Sequence, residues 1–160
     1  MRLSSLFRSY HYPLSCDELN TLLRRCIKSK ASKQAKQIHA MLLTSGIYEA
    51  CLSLHSKLVG VYASSGDLRY AQFLFDKIPK PNVFALNWMI SAMAFYGQYE
   101  AAIGYFSLIQ LLGEVPNKYT FSVVLKACVG LLDLNKGKEV HGMIHKIGLE
   151  CEISLCNIFD

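Results

Sequence analysis

No stretch of this chain approaches the about 18 consecutive apolar residues that a membrane span needs, because Lys, Asp, Gly or Pro interrupts every apolar run. No membrane partner is expected. Six cysteines are present, yet no two stand as C-x-x-C, and no apolar leader with a small-residue cleavage site precedes them. That pattern disfavours both a zinc knuckle and a secreted disulfide scaffold, so the thiols are expected to be reduced. There is no Gly-rich phosphate loop, no nucleophile elbow and no paired carboxylate. Neither a catalytic residue nor a cofactor is predicted. Acid is scarce as well: 12 Asp and Glu stand against 17 Lys and Arg, a net charge of +5 over 160 residues. An excess of that size is compatible with a polyanionic partner without identifying one.

What the chain does have is repetition. Asn20, Ser56, Asn87 and Ser122 are small hydrogen-bonding residues separated by 36, 31 and 35 positions, and other columns keep the same offsets. Leu23, Val59, Ile90 and Leu125 are aliphatic, whereas Ala35, Ala71, Ala102 and Gly137 are small. His39, Phe75, Phe106 and His141 place a planar ring four residues after the small one, and Leu42, Ile78, Ile109 and Ile144 close the pattern. Periods of this size denote stacked supersecondary units. Within a unit the apolar spacing is helical twice, with a Gly-marked turn between, as at Gly66 and Gly97. Asp67 is placed to cap a second helix. A small residue followed by a ring at i+4 lies on one helix face, where it lets two helices approach and then covers the next. The fold class predicted is all-α, an α-solenoid of stacked helix-turn-helix repeats with a concave groove. Cys26 and Cys128 occupy equivalent places and read as packing residues.

The phrases "AKQIHAMLLTSG", "VYASSGDLRYAQFLFDKIPKPN", "TFSVVLKAC" and "GKEVHGMIHKIGL" occur in order, and with them the chain resembles the plant pentatricopeptide repeat family. The subclass it resembles alternates long, short and standard repeats. On that pattern residues 16–51 form a long repeat, 52–82 a short one, 83–117 a standard one and 118–152 a second long one. Residues 153–160 open a further repeat, so the chain is expected to be a truncated product or a fragment. The resemblance implies an adaptor that binds single-stranded organellar RNA one base per repeat, with a separate deaminase or other processing protein as a further partner. It implies Asn87 with Asn117, Ser56 with Asn82, and Ser122 with Glu152 as base-reading pairs, and Asn20 as a further position, with the long-repeat residues Ser122 and Asn20 the poorer readers. His55 is an alternative to Ser56. Asn and Ser suit the task because each both donates and accepts hydrogen bonds.

The first sixteen residues contain two Arg, four Ser and no acid, and residues 1–15 read as an organelle transit peptide, mitochondrial ahead of chloroplast. An ordinary frayed N-terminus is the other reading. His141 and His145 have the spacing of half a zinc site but lack the Glu and third ligand, and are read as incidental. A peptide-binding tetratricopeptide-like scaffold is the alternative function. Trp88, Ala102 and Pro116 suit it, but "WMISAMAF" does not continue its pattern.

Overall fold

The computed structural model describes residues 15–45 and 52–149, and they form eight helices with no strand among them. These are α1 (Cys16–Ser29), α2 (Ser32–Ser45), α3 (Leu52–Ser64), α4 (Leu68–Asp76), α5 (Val83–Phe95), α6 (Tyr99–Leu111), α7 (Lys118–Leu131) and α8 (Leu134–Ile147). The all-α expectation holds. Of the residues 1–15 expected to form a transit peptide, 1–14 lie outside the described residues, as do 46–51 at the end of the first expected long repeat, 150–152 at the end of the second and 153–160 beyond it.

The chain divides into two compact units, Met1–Pro79 and Lys80–Asp160. In unit 1, α1 packs on α2 and α3, and α3 packs on α4. In unit 2, α5 packs on α6 and α7, α6 also meets α7, and α7 packs on α8. Each unit is thus two stacked helical hairpins, with the first helices side by side and the second helices covering them. No described helix is long and apolar enough to cross a membrane.

Helix starts follow the caps. Ser15 forms a reciprocal capping box with Glu18, Asn117 does so with Thr120, and the side chains of Asp67, Asn82 and Asp133 each accept a first-turn backbone N–H. The first helices also end alike. The N–H groups of Ala31, Asp67, Gln98 and Asp133 donate to the carbonyls of Cys26, Tyr62, Met93 and Cys128, at 2.8–3.0 Å. The residue just before each of these donors is left-handed: Lys30, Gly66, Gly97 and Leu132 have φ of 50°, 88°, 74° and 55°.

The repeat columns map onto fixed places in the helices. Ala35, Ala71, Ala102 and Gly137 are each the fourth residue of a second helix, and His39, Phe75, Phe106 and His141 are each the eighth. The three alanines are fully buried, as the close-approach reading requires. Phe106 is fully buried against Phe121 of α7, ring centroids 6.0 Å apart. His141 differs from its column, being exposed at the rim of a groove of about 590 Å³ between α7 and α8. Cys26 and Cys128 are free and buried, and burial pushes both thiols up from their usual range. Cys16 is disulfide-bonded, which corrects the expectation that all thiols are reduced.

Candidate functional site

Asn20, Ser56, Asn87 and Ser122 are each the fifth residue of a first helix. This register puts Ser56 in the column and His55 one place before it. The four side chains nevertheless have different surroundings. Asn87 and Ser56 are buried, at 6% and 7% exposure, whereas Asn20 and Ser122 are half-buried. The Ser122 hydroxyl donates back to its own helix, to the Lys118 carbonyl at 2.9 Å. Glu152, its expected companion, lies outside the described residues. Ser56 belongs to unit 1 and Asn82 to unit 2, where the Asn82 side-chain oxygen caps α5 by accepting from Ala85 N–H at 3.0 Å.

Unit 2 brings the expected pair Asn87 and Asn117 together, through a residue that sequence reasoning missed. Thr120 is fully buried, and its hydroxyl donates to Asn87 Oδ1 at 2.7 Å. The same hydroxyl accepts from the Asn117 backbone N–H at 3.1 Å. Asn117 Oδ1 caps α7 by accepting from Thr120 N–H at 3.1 Å, and Asn87 Nδ2 lies 3.5 Å from that same oxygen. One carboxamide oxygen is therefore spent on the cap, while Asn117 Nδ2 donates to no described residue. It is the half-buried Asn117 amide, more than the Asn87 amide, that has a donor to offer outward. The available signal for Thr120 was its place three residues after Asn117, the capping-box position.

Aromatic rings border this network. Phe84 lies three residues before Asn87, on the same face of α5, and is 64% exposed. Tyr119 of α7 is 49% exposed, and its hydroxyl lies 2.7 Å from that of Ser91, one turn beyond Asn87. The face thus offers amide and hydroxyl groups beside two exposed flat rings. Neither ring was anticipated as a site residue.

The first-helix face of unit 1 has a different chemistry. Asn20 Nδ2 donates to Ser53 Oγ at 3.1 Å, and the Ser53 hydroxyl lies 3.4 Å from Asn20 Oδ1. Asn20 is thereby satisfied by α3. One turn farther along each helix stand Arg24 and Lys57, the latter with Nζ 3.5 Å from the Ser53 carbonyl.

Between α2, α3 and α4, His39 Nδ1 lies 3.2 Å from the Tyr62 hydroxyl, and the Tyr62 and Tyr70 rings meet edge-on at 4.6 Å. Burial lowers the His39 pKa, His55 adding to the effect, and burial likewise lowers that of His55. The Tyr62 phenol is pushed up to about 12, first by burial and then by Tyr70 and Asp67. Since the native histidines protonate below the unfolded value of 6.5, the unfolded chain binds more protons as pH falls through that value. Unit 1 should therefore be fully stable above about pH 6.5 and weaken toward pH 5, by on the order of 1 kcal/mol per shifted pKa unit. Urea denaturation followed by circular dichroism across that range checks it: a pH-independent midpoint would contradict the neutral burial of His39.

Comparison with known proteins bears on unit 2 first. Residues 81–130 match the PPR repeat family. The PPR match runs from Pro81 through α5 and α6 into α7, so it contains Asn82, Asn87, Asn117 and Thr120. The chain is also 34% identical over 124 residues to the pentatricopeptide repeat-containing protein At3g12770 of Arabidopsis thaliana, covering 78% of this chain and 18% of that protein. It is 35% identical over 129 residues to At4g33170 of the same plant, covering 81% and 13% respectively. With the chloroplastic pentatricopeptide repeat-containing protein At5g52850 it shares 33% identity over 140 residues, 84% of this chain and 16% of that one. The chain spans less than a fifth of the length of each of these PPR relatives.

Proposed function

We propose that this chain binds single-stranded RNA through the first-helix faces of its repeats, as a non-catalytic adaptor for RNA processing in a plant organelle. The observation that carries the reading is the Asn87, Asn117 and Thr120 network flanked by exposed Phe84 and Tyr119. Flat rings give bases a sequence-tolerant stacking surface, and an amide beside them can select a base edge by hydrogen bonding. The similarity to PPR proteins supports the same reading, and the chloroplastic relative supports a plastid as readily as the mitochondrion favoured by the composition of residues 1–15. Ser56 with Asn82 and Ser122 with Glu152 are the further reading positions in this proposal, while Asn20, whose amide is bonded to Ser53 at both ends, is left to hold α1 against α3. Cytidine-to-uridine editing, carried out by a separate deaminase, is the processing step proposed.

Asn117→Asp tests it. Asp caps a helix as well as Asn does, so α7 keeps its start, but the outward amide donor is replaced by an acceptor-only carboxylate. Selection from a random single-stranded RNA pool should enrich a short motif with the wild-type chain, and the variant should change the preferred base at one position of it. Enrichment unaltered by the substitution would remove Asn117 from readout. A peptide-binding scaffold would instead show RNA binding too weak to enrich anything, and partner binding little affected by salt.

A further inference from the structure

The first-helix face of unit 1 carries two cations that form no ion pair with a described residue. The hydrogen bond between Asn20 and Ser53 fixes α1 against α3, and Arg24 and Lys57 each lie one turn beyond those residues on the same faces. The Arg24 side chain is exposed and makes no hydrogen bond or ion pair with a described residue. Lys57 is half-buried, and among the described residues its Nζ reaches only the Ser53 carbonyl, at 3.5 Å. The acids described on these two first helices are Asp17 and Glu18, in the first turn of α1. The Glu18 carboxylate is engaged by Ser15, at 2.8 Å from its N–H and 3.0 Å from its hydroxyl. Asp17 lies a turn before Asn20 and two turns before Arg24, and makes no ion pair with a described residue. Helices α2 and α3 contain no Asp or Glu at all.

Holding two like charges side by side on packed helices costs free energy unless an anion joins them. The cost registers on Lys57, whose ammonium is held below its ordinary pKa first by burial and then by Arg24. The equivalent places in unit 2, Ser91 and Val123, are uncharged, so the pair belongs to unit 1 and is not a feature of every repeat.

We propose that Arg24 and Lys57 form a seat for the phosphodiester backbone of single-stranded RNA, giving unit 1 a sequence-independent grip in place of base readout at Asn20. The inference rests on the RNA-binding reading above and assigns a division of labour within it. Asn20, bonded to Ser53 on both sides of its amide, serves to position the two helices whose cations meet the phosphates. A guanidinium and an ammonium one helix apart match successive phosphates, the first bidentately and the second as a point charge.

The experiment is binding of the full chain to a random single-stranded RNA pool across a salt series. The variants are Arg24→Gln/Lys57→Gln and, as a charge-matched control on the second helix of the same repeat, Lys33→Gln/Lys36→Gln. At about 0.7 counterions released per phosphate on a single strand, loss of two contacts should lower the salt slope by about 1.4. Between about 50 and 200 mM salt the wild type should therefore lose about sevenfold more affinity than the double variant, with the enriched sequences unchanged. The control should keep the wild-type slope. An unchanged slope in Arg24→Gln/Lys57→Gln, or an equal fall in the control, overturns the seat while leaving RNA binding intact. A change in the enriched sequence overturns the division of labour. A folded wild-type chain that binds no RNA even at low salt overturns the RNA reading itself, and the seat with it.

Discussion

Replacing Phe106 with alanine is expected to destabilise unit 2 by about 3–5 kcal/mol, a large part of what a domain of this size holds in reserve. The ring is fully buried at the eighth place of α6 and meets the fully buried Phe121 of α7 edge to face, at 6.0 Å and 66°. Its loss removes transfer free energy and leaves a cavity that α6 and α7 cannot close, because the fully buried Ala102 one turn earlier already holds the helices near contact. Gly130 of α7 shows how near: a Cβ there would collide with the Tyr99 ring of α6. The only tryptophan in the chain, Trp88, lies in α5 of the same unit, so its fluorescence reports this loss directly in a urea titration. Phe106→Leu, which keeps most of the volume, should cost markedly less. A cost below about 1 kcal/mol for the alanine variant would mean that the ring column does not join the hairpins of unit 2.

That column was legible in the sequence because repetition fixes each residue's place along its helix. Ala35, Ala71 and Ala102 all proved fully buried, and the fifth-place residues all fell in register. The helix stops at Gly66 and Gly97 were legible for a similar reason, since glycine adopts a left-handed backbone at little cost. The same stop at Lys30 and Leu132 was not, because an L-residue there costs about 1–2 kcal/mol and nothing in its identity announces it. At those positions the backbone bonds from Ala31 to Cys26 and from Asp133 to Cys128 hold the turn against that preference. The fifth-place column was legible in position but not in state. Asn87 and Ser122 share one column, yet one is buried in a network with α7 and the other is bonded back to its own helix. Such differences arise from the register between neighbouring helices, which no single segment encodes. Ser53, Thr120 and Tyr119 were missed because each acts across that register, and the Arg24 and Lys57 pair because its members lie 33 residues apart.

Thr120→Val carries the other large effect and separates two roles for the polar network. Valine has nearly the shape of threonine, so packing is conserved while one hydroxyl vanishes from a fully buried site. Asn87 Oδ1 then loses its 2.7 Å donor and the Asn117 N–H its 3.1 Å acceptor. Leaving buried polar groups without partners costs about 1–3 kcal/mol, more than the bonds themselves contribute. If Asn87 and Thr120 act as a unit, replacing both with apolar residues should cost less than the sum of the single changes, with a coupling of about 0.5–3 kcal/mol. Trp88 fluorescence again gives the four stabilities of the cycle. RNA selection on the same variants then divides the structural role from the recognising one. Thr120→Val frees the Asn87 amide to turn while leaving Asn117 Nδ2, Phe84 and Tyr119 in place, so affinity should persist and selectivity at one base should relax. Zero coupling would mean that Thr120 merely caps α7. Coupling with unaltered selectivity would make the network a staple between α5 and α7 and leave base choice to the Asn117 amide alone.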